Sequence, residues 1–290
     1  MQMKGRGANH RRRIRPCDDE PSTGPDAQPD GEEQRSAACD GVALCGGRHE
    51  VKCHAAPHPL IDLIEDRRMT RFAVIEAKAA KRKGGPQALK KLLSKPQSRA
   101  ALSKTPDSFL LSLLAKQIFR AGFVWKIVEH KWPGTEEAFA GFEPEVVAGL
   151  ADHDLDDLAN DPRIVRHRSK IESIRDNARW MVRVAAKHGS FAKFLAEWPE
   201  NDVVGLWQEL HASGSRLGGM TGPFFLRQIG KDTFLLSPDV IKALRREKVL
   251  RGKGTSKRDL RAIQEAFNAW RRESGRPFCQ LSRILAYSVG

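Results

Sequence analysis

The sequence predicts an all-α fold preceded by a disordered N-terminal extension, and three observations predict it. From Asp107 onward, apolar residues recur at the three- and four-residue spacing of helix faces. No stretch shows convincing period-two alternation, the mark of a half-buried strand, so strands should be few. All the aromatic residues, 6 Trp, 1 Tyr and 13 Phe, lie after Met69, so residues 1–68 lack the means to build a core. Residues 69–290 are then the helical body. An alternative for the extension is that it does not belong to the native protein, whose start would be Met69.

The helices follow in order. Between Asp107 and Arg120, Phe109, Leu110, Leu113, Leu114 and Ile118 recur at helical spacing, with Thr105 and Pro106 as cap and first-turn proline and Gly122 as the stop. A second helix covers Val124 to Trp132 and ends at Pro133-Gly134. Another starts at Thr135, because Glu136 and Glu137 suit the positive end of a helix. Short helices follow around Pro144–Leu150 and Asp152–Asn160. The longest runs from about Arg166 to His188, with Ile171, Ile174, Ala178, Val182 and Ala185 on one face and Gly189 as its C-cap. Further helices span Phe191–Trp198, Val203–Ala212, Gly222–Ile229, Pro238–Lys248, Lys257–Glu273 and Pro277–Val289.

Charge narrows the partner. The chain has 290 residues, 50 Lys+Arg and 36 Asp+Glu, a net of +14. The first 68 residues hold 11 basic and 12 acidic side chains, so the body carries a net of +15 and points to a polyanion, most often nucleic acid. No run reaches the length of apolar sequence a membrane span needs. Arg11, Arg12, Arg13 and Arg15 are not followed by the apolar core of a signal peptide. The 5 cysteines are an odd count, which favours reduced thiols and a cytoplasmic setting. In the extension, Cys39, Cys45 and Cys53 lie near His49, His54 and His58, with Cys17 further upstream. Their spacing lacks the close cysteine pairs that fold around one zinc ion, so an adventitious thiol cluster is preferred to a metal site.

Three constellations are candidates for chemistry. The first is the turn Ser215-Arg216-Leu217-Gly218-Gly219-Met220-Thr221-Gly222 between two helices. Glycines let backbone N–H groups approach a phosphate, and Arg216 adds a direct ionic contact; the plain alternative is a tight interhelical turn. The second is the row Arg175, Arg179, Arg183 and Lys187, one helical face that is either solvated or tracks a strand. Arg245, Arg246, Lys248, Arg251 and Lys253, followed by Lys257 and Arg258, form a denser basic cluster. The third is Gln117-Ile118-Phe119-Arg120-Ala121-Gly122-Phe123-Val124-Trp125, aromatic residues around a helix break. An enzyme that works on a base must unstack it, hold it between aromatic faces and fill the gap with a wedge. Trp125 and Phe119 offer stacking rings, Phe123 a wedge and Gln117 an amide for a base edge; the alternative is that the rings are all core.

The blocks Ala121-Gly122-Phe123-Val124-Trp125, Phe142-Glu143-Pro144, Ile164-Val165-Arg166-His167-Arg168-Ser169-Lys170-Ile171 and Asn177-Ala178-Arg179 resemble, in order and spacing, the DNA-3-methyladenine glycosylase I family. The resemblance spans Phe109 to Gly230. It implies a helix-hairpin-helix DNA glycosylase fold in which Leu217–Gly222 is the DNA-binding hairpin. It also implies removal of 3-methyladenine from alkylated double-stranded DNA, the first step of base excision repair. Arg120, Gly122, Phe123, Arg216, Gly218, Gly219, Thr221 and Gly222 are then the DNA-contacting residues, and Gln117, Phe119 and Trp125 the base-binding ones. Three departures stand out. Gln117 replaces the family's Glu, so an amide meets a cationic base. The family's tyrosine-histidine-acid motif has no match. Cys279 stands alone where the family has zinc ligands, so no metal and no cofactor is expected. Asp239 lies near the catalytic Asp of the wider superfamily; a first-turn helix charge is the alternative role. Gln117, Trp125 and Asp239 are the catalytic candidates.

The resemblance therefore leads to a monofunctional, monomeric glycosylase of the cytoplasm and nucleoid, without a membrane partner. Residues 203–226 contain no lysine beside the hairpin to form a Schiff base, which disfavours lyase chemistry. A DNA-binding relative that has lost its chemistry and a glycosylase with a changed base preference remain the alternatives.

Overall fold

The computed structural model describes residues 70–289, so the readings of the extension, its thiol cluster and the Met69 start lie outside the described residues. Among the described residues the chain forms α-helices and one short 3-10 turn, with no strand. No helix among them is long and apolar enough to cross a membrane.

The framework of the candidate site is α4 (Asp107–Arg120), α8 (Arg168–His188), α10 (Val203–Ser213) and α11 (Thr221–Gln228). Three helices precede it, α1 (Phe72–Arg82), α2 (Pro86–Lys91) and α3 (Arg99–Leu102), in a stretch for which no helix was expected. α5 (Trp125–Ala138), α6 (Pro144–Ala148) and α7 (Asp152–Asn160) lie between α4 and α8 in the chain, and α9 (Phe191–Glu197) follows α8. The last three are α12 (Pro238–Arg246), α13 (Lys257–Ser274) and α14 (Phe278–Tyr287).

α8 has the first part of the predicted apolar face. Ile171, Ile174 and Ala178 are fully buried, Met181 joins them, and Val182 and Ala185 are only half-buried; the helix packs against α4, α6, α7 and α9. It stops at Gly189, whose φ of 89° is the left-handed cap conformation that an L side chain resists. α4 buries Leu110, Leu111, Leu114, Ala115 and Ile118 between α8 and α11. At the other end, α1 packs on α13 and α14, so the first described helix closes against the last two. Trp270 donates its indole N–H to the Thr70 carbonyl at 3.1 Å and meets the Phe72 ring at 5.9 Å.

Two of the sequence expectations change. The separate helices proposed on either side of Pro133-Gly134 are one helix, α5, with Pro133 inside it. A helix-interior proline forfeits one backbone bond, but tertiary contacts hold this segment. Trp132 is buried, stacked on Phe142 at 5.7 Å, and its indole N–H donates to Ser112 Oγ at 3.1 Å and Glu136 Oε1 at 3.0 Å. Gly134 serves close approach instead of a stop, since a Cβ there would lie 2.9 Å from Arg163 Cβ. At the start of α4, Pro106 is itself the N-cap residue, and Thr105 supplies no capping side chain.

Ionic side chains, the half-buried Asp107 and Asp232 and the buried Lys231, tie helix ends across the fold. Asp107 accepts the Phe191 and Ala192 N–H groups at 2.7 and 2.9 Å, satisfying the first amides of α9 from a different helix. Asp232 does the same for Phe278 and Cys279 at the start of α14, at 2.9 Å each. Lys231 Nζ donates to the Trp198 carbonyl at 3.1 Å, just past the other end of α9. Replacing Asp107 by Ala strips two amides of their acceptor and should destabilise the protein by about 1–2 kcal/mol, the usual cost of removing a cap. A lower urea midpoint with an unchanged slope is the result expected.

Candidate functional site

The site begins where α4 is stopped. The last carbonyls of a helix have no partner within it, and here a side chain from another helix supplies one. Lys170, on the first turn of α8 and only 6% exposed, donates from Nζ to the Ile118 carbonyl at 2.8 Å. The Phe119 carbonyl lies at 3.4 Å, and the Ala121 carbonyl completes the set. A cation at a helix C-terminus also meets the negative end of the dipole. Burial holds the Lys170 pKa below the ordinary lysine value, and the nearby Arg216 charge pushes in the same direction. Beyond this cap the chain turns through Gly122, whose φ of 92° calls for glycine although a Cβ there would meet nothing.

The turn between α10 and α11 is fastened to the same face of α8. The fully buried Asn177 accepts the Ser215 N–H at its Oδ1 at 2.9 Å. Its Nδ2 donates to the carbonyls of Ser215 at 2.9 Å and Ser173 at 2.7 Å. Arg216 adopts a φ of 62°, strained for a residue with a side chain. Its guanidinium reaches back to Ser169, donating to Oγ at 3.0 Å and to the carbonyl at 3.3 Å. Ser169 Oγ is in turn 3.1 Å from His167 Nδ1.

The glycines of the turn divide by role. Gly219 is exposed, has a φ of 60° and a Cβ position facing open space, and neither its N–H nor that of Met220 has an acceptor among the described residues. Gly218 leaves room for the His211 ring, which a Cβ would approach to 2.8 Å. Gly222 is buried: its N–H bonds the Leu217 carbonyl at 3.3 Å, and a Cβ would lie 3.2 Å from Leu210. In this structure Gly222 serves close packing of the turn against α10. Thr221 is half-buried at the first position of α11, and its N–H bonds the Gly218 carbonyl at 3.3 Å.

Between the helix break and this turn lies a cleft of about 410 Å³, lined by Ile118, Ala121, Lys170, His211, Arg216 and the glycines at 214 and 218. No carboxylate lines it. It can receive a group carrying negative charge, or a neutral one with acceptors, between two cations.

The other predicted residues divide among the lip, the core and more distant helices. Trp125 is 61% exposed and lies beneath the Arg120 guanidinium, 5.2 Å from the ring centre; Val124 and Ile127 beside it are also exposed. Arg120 is ion-paired with Glu129, which also binds Lys116 at 3.3 Å. These contacts, the Arg120 hydrogen bond first, hold the Glu129 carboxyl below its ordinary pKa. Gln117 is half-buried, with its amide nitrogen donating to Gln228 Oε1 across α4 and α11. Phe119 is 1% exposed and packs edge-on to Trp132 at 6.4 Å, the placement of a core ring. Phe123 is half-buried, with His167 edge-on at 5.8 Å and Lys170 Nζ 4.6 Å from its centre. Asp239 is exposed in the first turn of α12, which packs on α14, and it does not line the cleft. Its placement is that of an acid at the positive end of a helix.

The arginine row of α8 is also reassigned in part. Arg175 is buried and donates to Asp152 Oδ1 at 2.7 Å and the Leu150 carbonyl at 3.2 Å. Arg179 donates to the Ala148 carbonyl at 2.9 Å. Both secure α6 and α7, leaving Arg183 and Lys187 as the exposed part of the row. Lys170, Asn177, His211 and Gln228 were not singled out as site residues by their chemistry. The available signal for two of them was polar residues on the apolar stripe of α8, with Lys170, Ser173 and Asn177 three and four residues apart. Among the described residues no cluster of His, Cys, Asp and Glu could hold a metal ion. The Cys279 thiol is buried, and burial first, then Asp232, pushes its pKa up to about 11.

Residues 102–213 match the family described as Methyladenine glycosylase. The chain is 29% identical over 92 residues to DNA-3-methyladenine glycosylase 1 of Escherichia coli (strain K12), covering 32% of this chain and 49% of that protein. It is 30% identical over 76 residues to DNA-3-methyladenine glycosylase of Haemophilus influenzae, covering 26% and 41% respectively. The chain thus spans about half the length of the curated relatives it matches. Among solved structures, a mutant of 3-methyladenine DNA glycosylase I from Staphylococcus aureus is 33% identical, covering 43% of this chain and 77% of that one, with a TM-score of 0.39. A variant of 3-methyladenine DNA glycosylase I in complex with 3-methyladenine is 30% identical, covering 46% and 82%, with a TM-score of 0.40.

Lys170→Met keeps the length of the side chain and removes every donor to the end of α4. A loss of about 2–3 kcal/mol in unfolding free energy is expected, since buried carbonyls are left unsatisfied. Faster amide exchange in residues 121–125 should accompany it, and unchanged exchange there would contradict the capping role.

Proposed function

We propose that this chain, whose residues 102–213 match the Methyladenine glycosylase family and which is similar to the DNA-3-methyladenine glycosylases above, is a monofunctional DNA glycosylase that removes alkylated bases, 3-methyladenine among them, in base excision repair. The observation that carries this reading is the meeting of the helix break after α4 and the α10–α11 turn on one cation-lined cleft. The substrate is double-stranded DNA, bound by a monomer in the cytoplasm or on the nucleoid.

The free N–H groups of Gly219 and Met220, with the nearby Arg216, form a phosphate cradle that reads no sequence. Arg216 is held by neutral groups of Ser169, so a phosphate can recruit it without breaking an ion pair. The exposed lip of Val124, Trp125 and Ile127 meets the unstacked duplex, with Trp125 offering a face to a base. Gln117, oriented by Gln228, keeps its amide oxygen for a donor on that base. Water then forms a bond to the sugar C1′ as the C1′–N bond breaks; the departing base carries the bonding electrons, and the proton lost by the water passes to solvent. An N3-methylated adenine is cationic before cleavage and leaves neutral, so it needs little acid catalysis; phosphates beside the sugar steady oxocarbenium-like charge.

Lys170 is the lysine nearest to lyase chemistry, for it reaches the cleft from α8, outside residues 203–226. Its Nζ is committed to the carbonyls that end α4, leaving no free electron pair for a Schiff base. This supports base removal without strand cleavage. The amide at Gln117 and the absence of a carboxylate from the cleft wall favour a second reading within the same chemistry, a preference for uncharged modified bases.

Methylated duplex DNA should release free 3-methyladenine with no nick before base treatment. Trp125→Ala should slow release by about 10–100-fold, the equivalent of removing one stacked ring. Gln117→Glu should shift the balance toward cationic bases. If no modified base is released while DNA binding is intact, the glycosylase reading is wrong.

A further inference from the structure

The loop from α12 to α13 turns its acids inward and its cations outward. Glu247 is buried, 2.6 Å from Arg246 and 3.9 Å from Lys78. Asp259 accepts the Gly254 N–H at 3.1 Å, and its own N–H is capped by Ser256 Oγ at 3.0 Å. Lys248, Arg251, Lys253, Lys257 and Arg258 are all exposed, and none makes an ion pair with a described residue. A surface serving solubility alone would interleave the two signs.

The loop is also built to hold its shape. Arg245 donates to the Gly252 carbonyl at 2.9 and 3.3 Å, drawing the loop back onto α12. Leu250 is buried at its centre. Gly254 has a φ of 82°, and a Cβ there would come 2.8 Å from Ile241. Five cations therefore project from a backbone fixed before any partner arrives, which reduces the ordering cost of binding.

This surface lies outside the residues matching the glycosylase family and does not border the cleft. α12 and α13 pack against α1, α10 and α14, not against α4 or α8. We propose that the loop at residues 248–258 is a second, sequence-independent binding surface for the phosphate backbone of duplex DNA, engaging a flank of the duplex held at the cleft. It rests on the glycosylase reading, which supplies duplex DNA as the polyanion. The loop adds residence on DNA and takes no part in chemistry.

The test is the full chain with Lys248, Arg251, Lys253, Lys257 and Arg258 each changed to Gln, beside a milder Arg251→Gln/Lys253→Gln variant. Binding is measured across a salt series on undamaged duplexes, one long and one only long enough to occupy the cleft. Removing one cation from a phosphate should flatten the dependence of log affinity on log salt by about 0.9, so a flattening of about 3 or more is expected for the five-residue variant on the long duplex. The milder variant should show about 1–2. On the short duplex both should match the wild type, and single-turnover base release from a methylated duplex at saturating enzyme should be unchanged. An unaltered slope on the long duplex, an equal deficit on both duplexes, or slowed release at saturation would each overturn the proposal. A wild type that releases no base yet loses affinity through these five residues would reject the glycosylase reading and leave the phosphate surface standing. A wild type that binds neither duplex would reject both.

Discussion

One buried ammonium sets the geometry of the candidate site. Lys170 ends α4 by taking its last carbonyls, and that ending decides where Gly122 turns and where Trp125 begins the next helix. A charge so buried is tolerated only when its donors are satisfied. Here the carbonyls gain the donor they lack and the helix dipole gains a cation. The same ammonium lies over the Phe123 ring, so it fixes the side chain after the turn as well as the turn itself. Its proximity to Arg216 gives the cleft its positive character.

α8 extends this from a point to a wall. Lys170 holds the end of α4, Asn177 holds Ser215 by both faces of its amide, and Arg175 and Arg179 hold α6 and α7. The helix break and the hairpin turn are thus positioned from one rigid element, two turns apart. A site assembled this way is preorganised, because the two binding regions need not be ordered separately when a ligand arrives. Arg216 connects them a second time through Ser169, whose hydroxyl also touches His167 beside Phe123.

The remaining helices supply a support with its own logic. α1 closes on α13 and α14 through Phe72 and Trp270, and Phe234 stacks on Phe267 at 4.2 Å. Asp107 and Asp232 perform the same task at opposite ends of the chain, each accepting the first two amides of a distant helix. Neither carboxylate is spare for catalysis. Charge on this protein falls into internal fasteners, such as Arg175 and Glu247, and outward cations, such as Arg251 and Lys253, and only geometry separates the two groups.

The sequence by itself determined the all-helical class, most helix limits from Asp107 onward and the two segments that meet at the cleft. These are local matters: periodicity, glycine stops such as Gly189 and caps such as Ser256 act within a few residues of themselves. Tertiary structure decided the rest. Pro133 reads as a stop locally, yet Trp132 and its distant partners carry the helix through it. Phe119 and Trp125 have similar local settings, but one is buried against Trp132 and the other is exposed at the lip. Lys170 looks like any basic residue of a helix start until the end of α4 is placed over it. Burial and partners arise from contacts between residues far apart in the chain, and no window of sequence contains both sides of such a contact.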